Sequence, residues 1–164
     1  MGTDDRRAAG LSLRYGFFYG PGTWYHRDGA LAREIREGRM PIVGDGLGRW
    51  SWVHVDDAVV ATLAALEQGR GVLNVCDDEP AAMADWLPHA ASVLGAEPPP
   101  RMPTSLVHKT AGPDLVHYGT RMPGASNARA KAALSWIPAW PSWPRGFEQE
   151  LGDSPAQAVP GRLP

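Results

Sequence analysis

Apolar and aromatic residues run almost unbroken from Leu11 to Tyr19 and stop at Gly20-Pro21-Gly22. So little alternation predicts a strand covered on both faces, as in a parallel sheet, ended by the Gly-Pro-Gly turn. Leu31 and Ile35 then lie four apart, as do Arg33 and Glu37. With Asp28 able to cap and Gly38 to stop it, this spacing predicts a short surface helix. "MPIVGDGLGRWSWVHV" predicts a brief strand, a glycine turn and a second strand in which Trp50, Trp52 and His54 alternate with Ser51 and Val53.

Asp56 or Asp57 can cap the next helix, where Val59 or Val60, Leu63 and Leu66 form one apolar face before the Gly69-Arg70-Gly71 break. "GVLNVCDDEP" predicts a short strand running into an acidic turn. A helix follows over 85–94, with Trp86, Ala90 and Val93 on one side and Pro88 expected in its first turn. "AEPPPRMP" is stiff and extended. Residues 104–125 show no clear period and are expected to be loop. Ser126 and Ser142 can each cap a further helix, one carrying Lys131 and Leu134, the other Phe147 and Leu151. The pattern thus predicts one compact α/β unit over 1–151, with 152–164 a disordered tail.

Composition narrows the function. A formal net charge of -2 over 164 residues offers no basic stripe for a nucleic-acid backbone. No apolar run approaches the ~20 residues that cross a bilayer, and "MGTDDRRAAG" has no apolar signal core, so a cytoplasmic protein without membrane or nucleic-acid partners is expected. Cys76 stands alone, which leaves no internal disulfide and no cysteine-cluster metal site.

Candidate chemistry is sparse. Gly44-Asp45-Gly46-Leu47-Gly48 suggests a dinucleotide loop, but Arg49 occupies the place of the third glycine and the chain continues into a strand rather than a helix. A turn is the better reading. His54 and Asp56 have no third ligand to make a metal site, so a capping carboxylate beside a structural histidine is expected. "CDDEP" reads as a solvated acidic turn, and no G-x-S-x-G elbow supports a hydrolase.

Four segments taken in order resemble the C-terminal half of the extended short-chain dehydrogenase/reductase family, the NAD-dependent epimerase/dehydratase proteins. They are "LRYGFFYGPG", "GDGLGRWSWVHVDDAVVATLAALE", "GVLNVCDDEP" with the following "WLPHAASVLGA", and "SNARAKAALSWIPAWPSW". The resemblance implies the last strands of a Rossmann-type sheet plus a small α/β substrate-binding lobe, with the cofactor-binding half missing. "RRAAG" resembles the end of the helix that carries the family's catalytic tyrosine and lysine.

No Tyr-x-x-x-Lys pair follows, since Tyr15, Tyr19, Tyr25 and Tyr118 are followed four residues later by Tyr19, Thr23, Gly29 and Met122. No catalytic residue is therefore assigned, and the chain is not expected to bind the family's NAD or NADP by itself. The resemblance implies a cofactor edge at Phe17, Phe18 and Gly20, and substrate contacts at Trp24, Arg49 and Trp50. Many sugar-nucleotide members carry Asn where Phe17 stands and Arg where Trp50 stands, which argues against a UDP-sugar. Arg49 is one residue out of step, so strand alternation would turn it away unless the strand bulges. A small-molecule substrate, and either self-association or a complementing N-terminal half, are the expected partners. A non-catalytic binding or regulatory module is the alternative.

Overall fold

The computed structural model describes residues 10–152. The expected disordered tail and the helix end at "RRAAG" lie outside the described residues. The elements in chain order are β1 (Leu11–Tyr15), β2 (Phe17–Tyr19), α1 (Ala30–Arg36), β3 (Ile42–Val43), β4 (Arg49–Trp50), β5 (Trp52–His54), α2 (Val55–Gln68), β6 (Gly71–Val75), β7 (Ala81–Ala82), α3 (Met83–Val93), β8 (Arg101–Met102), α4 (Thr104–Ala111), α5 (Pro113–Thr120), α6 (Ala128–Leu134) and α7 (Trp143–Glu150).

The predicted first strand is two strands with different partners. β1 pairs in parallel with β6, Leu11 opposite Gly71 through Tyr15 opposite Val75. β2 pairs in parallel with β5, Phe17 opposite Trp52 through Tyr19 opposite His54. The change of partner falls at Gly16, whose N–H donates to Val75 O at 2.9 Å while that of Phe17 donates to Ser51 O at 2.8 Å. Successive N–H groups aimed at one side mark a local bulge. Glycine suits that spot, because a Cβ on residue 16 would stand 2.6 Å from Ser51 O.

Two cores flank this strand line. Leu11, Leu13 and Tyr15 pack with Val53, Leu73, Ala61, Ala65 and Trp136 under α2 and α6. The other, larger core is aromatic, built on Trp50, Trp52, Trp86, Tyr25 and Phe147. Every residue from Trp50 to His54 is buried. The alternation read in the sequence therefore sorts side chains between two covered faces rather than between core and water.

The helices depart from expectation in instructive ways. α2 buries Ala58, Ala61 and Ala65, while Val59, Val60, Leu63 and Leu66 are all at least half exposed. The face predicted to be the core is the outer one, and small alanines let the helix sit close on the strands. Residues 104–125 are not loop: α4 and α5 meet at Gly112, which adopts φ 86° ahead of Pro113 in the first turn of α5. Pro88 lies a full turn inside α3 rather than in its first turn. Residue 28 is not the cap of α1; Gly29 holds that place without a side-chain bond.

The glycine cluster is a turn that serves α3. Leu47 N–H donates to Asp45 Oδ1 at 3.1 Å, and the first N–H groups of α3, from Met83 and Ala84, donate to Gly48 O and Gly46 O at 3.0 Å. These bonds satisfy donors that a helix start otherwise leaves orphaned. A Cβ at residue 48 would meet Tyr118 O at 2.1 Å, backbone against side chain. Gly48→Ala is expected to cost about 1–3 kcal/mol through forced separation of β4 from α5, read as a lowered urea midpoint. An unchanged midpoint would show that the turn is slack.

Candidate functional site

A cleft of about 920 Å³ opens where β1 hands over to β2. It is lined by the Arg14-to-Phe18 stretch, the loop from Gly22 to Tyr25, Arg49, Ser51, and Met122 and Gly124 to Ser126 after α5. Asn74 of β6 closes one end. Three stretches distant in sequence thus converge at the end of a parallel strand pair, the usual position of ligands in α/β proteins.

Four of the six sequence-derived site residues lie on this cleft: Phe17, Phe18, Trp24 and Arg49. Phe17 stacks on Trp50 with centroids 4.1 Å apart and interplanar angle 28°. Phe18 is 40% exposed and Trp24 72% exposed. Trp24 is the one tryptophan of seven left open; the other six are buried.

Trp50 and Gly20 sit elsewhere. The Trp50 indole turns into the aromatic core and donates Nε1–H to Tyr118 O at 2.9 Å, so it supports the Phe17 ring from behind. Gly20, at φ 103°, leaves no room for a side chain against the His54 ring, only 2.6 Å from where its Cβ would be. Arg49 is among the residues that line the cleft. Burial of Trp50 on one face of β4 sends its neighbour to the other, and Arg49 is tied there by a hydrogen bond to Pro80 O.

Sequence reasoning missed Arg14, Ser51, Asn74 and the 122–126 segment. Arg14 carried a signal: a charged residue between Leu13 and Tyr15 marks a strand with one open face. The segment after α5 carried none, since its place depends on contacts such as Ala125 N–H to Ser51 Oγ at 2.8 Å.

Behind the cleft, ionisable groups are structural. His54 caps α2 by accepting Asp56 N–H at Nδ1, 3.1 Å away, stacks on Trp140 at 4.1 Å and places Nε2 3.4 Å from Glu150 Oε1. Asp57 does not cap its helix; it accepts Ala139 N–H and Trp140 N–H, both at 2.8 Å, latching the Trp-Pro segment to α2. Burial holds its carboxyl above the ordinary carboxylate range despite those bonds.

The acidic turn is only partly solvated. Asp78 accepts from Asn127 Nδ2 at 2.7 Å and Lys131 Nζ at 3.0 Å, but Asp77 is buried, and burial pushes its carboxyl up to about 8. Burial also pushes the Cys76 thiol up to about 12, which disfavours the thiolate. Among the described residues, no group of three histidine, cysteine or acidic side chains could hold a metal, and no helix is long and apolar enough to cross a membrane.

Comparison with known proteins agrees with this architecture. The model of the NAD dependent epimerase/dehydratase family matches residues 4–76. A Streptomyces 3-diazoavenalumate denitrifying reductase is 49% identical over 143 residues, covering 87% of this chain and 47% of the relative. The chain thus spans about half the length of the curated relative it matches. Among solved structures, UDP-glucose 4-epimerase from Thermotoga maritima with UDP-glucose is 26% identical with TM-score 0.62, covering 85% of this chain and 43% of that one. A human epimerase family protein with NADPH superposes at TM-score 0.67 with 21% identity, covering 87% and 48%, and shows the fold. The chain is thus similar to the NAD dependent epimerase/dehydratase family over its first half.

Proposed function

We propose that residues 10–152 are the C-terminal, substrate-binding portion of an NAD(P)-dependent reductase whose coenzyme cradle lies on a complementing N-terminal half. The observation that carries this reading is the cleft itself, which Phe17, Phe18, Trp24 and Arg49 line together. The 49% identity to a reductase across this portion supports reduction over epimerisation, and its name points to a diazo-bearing carboxylate as the kind of substrate.

The residues present suit the edge of a nicotinamide. Phe17 and Phe18 offer flat apolar surface on the cleft, whereas Gly20 is sealed behind the His54 ring. Among the described residues no glycine-rich turn opens a helix toward a pyrophosphate, since Gly44 to Gly48 is occupied with α3. When bound, the coenzyme supplies the hydride; this chain orients the acceptor against it.

An open strand edge supports the reading of a complementing half. Among the described residues β1 pairs only with β6, leaving one edge of a parallel strand open. Beside it, Val59 and Leu63 of α2 continue into an apolar groove with Tyr15 and Phe18. A helix apolar on both sides belongs in an interior, so a nucleotide-binding α/β half is the occupant we assign.

NADPH titration by fluorescence tests the reading. The purified chain is expected to show no micromolar binding, and the chain combined with a glycine-rich N-terminal half to gain it. Micromolar binding by the chain alone overturns the division of labour.

A further inference from the structure

We infer that Ser51 is a positioning residue of the cleft, its hydroxyl latching residues 122–126 as a strap of the cleft lining that opens as a local unit. This rests on the reading of the cleft as the substrate side and adds the device that sets its width.

Ser51 stands where lining segments distant in sequence are keyed together. It lies between β4 and β5, in neither strand, and is buried. Its main-chain O accepts Phe17 N–H at 2.8 Å, at the point where β1 hands over to β2. Its side chain serves the other segment: Oγ accepts Ala125 N–H at 2.8 Å. One residue thus fixes the Arg14-to-Phe18 stretch through its backbone and the strap through its hydroxyl.

The strap is lightly held. Among the described residues, its main-chain pairing with the strands is confined to Arg49 N–H on Met122 O at 2.7 Å and an isolated bridge between Arg49 and Pro123. Beyond Pro123, side chains replace a ladder. Ser51 Oγ takes the Ala125 N–H, Cys76 Sγ lies 3.7 Å from Ala125 O, and Asn74 Nδ2 reaches Ser126 O at 3.3 Å. The Ser51 bond is the shortest of these, and no residue from 122 to 126 is buried.

The two ends are firm. Met122 N–H donates to His117 O at 3.0 Å at the close of α5, and buried Asn127 places Nδ2 2.7 Å from both Cys76 O and Asp78 Oδ1. A stretch with few buried contacts between fixed ends opens at lower cost than the fold as a whole.

Opening has a built-in reporter. Cys76 is the protein's only cysteine, is 1% exposed and has its sulfur against Ala125 O, so release of the strap uncovers it.

The test is alkylation of Cys76 by N-ethylmaleimide in the full chain, followed by mass spectrometry at fixed pH. Ser51→Ala is expected to react about fivefold to tenfold faster than the parent, the factor one hydrogen bond carries. Ser51→Thr, which keeps the hydroxyl, should react at the parent rate. Intrinsic reactivity runs the other way: the Ser51 bond lowers the Cys76 pKa, so its loss leaves less thiolate, and acceleration reports access. In the parent, the rate should stay nearly flat in urea well below the unfolding midpoint, because local opening exposes little surface, whereas reaction through global unfolding climbs steeply throughout. That measurement decides the matter should Ser51→Ala fail to fold by circular dichroism. Equal rates for the parent and a folded Ser51→Ala, equal acceleration in both variants, or a parent rate that climbs with urea throughout overturns the strap and leaves the division between halves standing. Micromolar NADPH binding by the chain alone does the reverse.

Discussion

Replacing Trp52 by alanine is expected to remove about 3–5 kcal/mol of stability, a large part of what a domain of this size possesses. Trp52 is fully buried on β5. Its ring lies 4.8 Å from Tyr25, 4.9 Å from Phe147 and 5.0 Å from Trp86, each nearly perpendicular to it. These edge-to-face contacts join the loop that walls the cleft, the last helix and α3 through one side chain. Its indole Nε1–H finds no hydrogen-bond acceptor, so truncation forfeits no polar bond and the loss is one of packing and cavity. Urea unfolding should show a much lower midpoint with little change in slope for Trp52→Ala, and a smaller drop for Trp52→Phe, which keeps ring contacts. Equal losses for both variants would mean that the cluster depends on the size of the indole rather than on aromatic packing.

Legibility followed how local each determinant is. α2 and β6 could be read because a 3.6-residue period and a β-branched run are carried by neighbours in sequence. Which face of α2 is inward could not, because alanine at 58, 61 and 65 gives a weaker signal than valine and leucine at 59, 60, 63 and 66. Strand packing nevertheless selects the smaller side chains. α4 and α5 left no trace in the pattern: their inward contacts amount to Val107 on one and Val116 with Gly119 on the other.

The site divides the same way. Phe17, Phe18, Trp24 and Arg49 could be named from order along the chain, while Arg14 and the 122–126 wall needed the fold to bring them near. Asp77 looked like one solvated acid among three. Its burial comes from Trp52 O receiving its N–H at 2.7 Å and from Asn127 binding Cys76 O and Asp77 O at 2.7 and 3.2 Å, contacts 25 and about 50 residues away.

That buried carboxyl gives the second large effect, a stability that declines through neutral pH. Asp77 is 2% exposed; burial, against weaker opposing hydrogen bonds such as that from Glu79 N–H to Oδ1 at 3.3 Å, raises it from an ordinary 3.8 to about 8. Between those values the folded chain holds a proton that the unfolded chain has released. Folded-state proton uptake makes stability fall as pH rises. The contribution is complete below about pH 4, lost progressively toward pH 8 and flat beyond, with a span of several kcal/mol. Asp57, also raised by burial, acts in the same direction.

Asp77→Asn keeps an oxygen for Glu79 N–H and removes the titration. Its urea midpoint should therefore exceed that of the parent at pH 8 and approach it near pH 5, with the residual slope left by Asp57. The parent and variant measured at both values decide the matter: a parent whose stability rises from pH 5 to 8, or parallel profiles for the two, would place the Asp77 carboxylate in its charged form throughout.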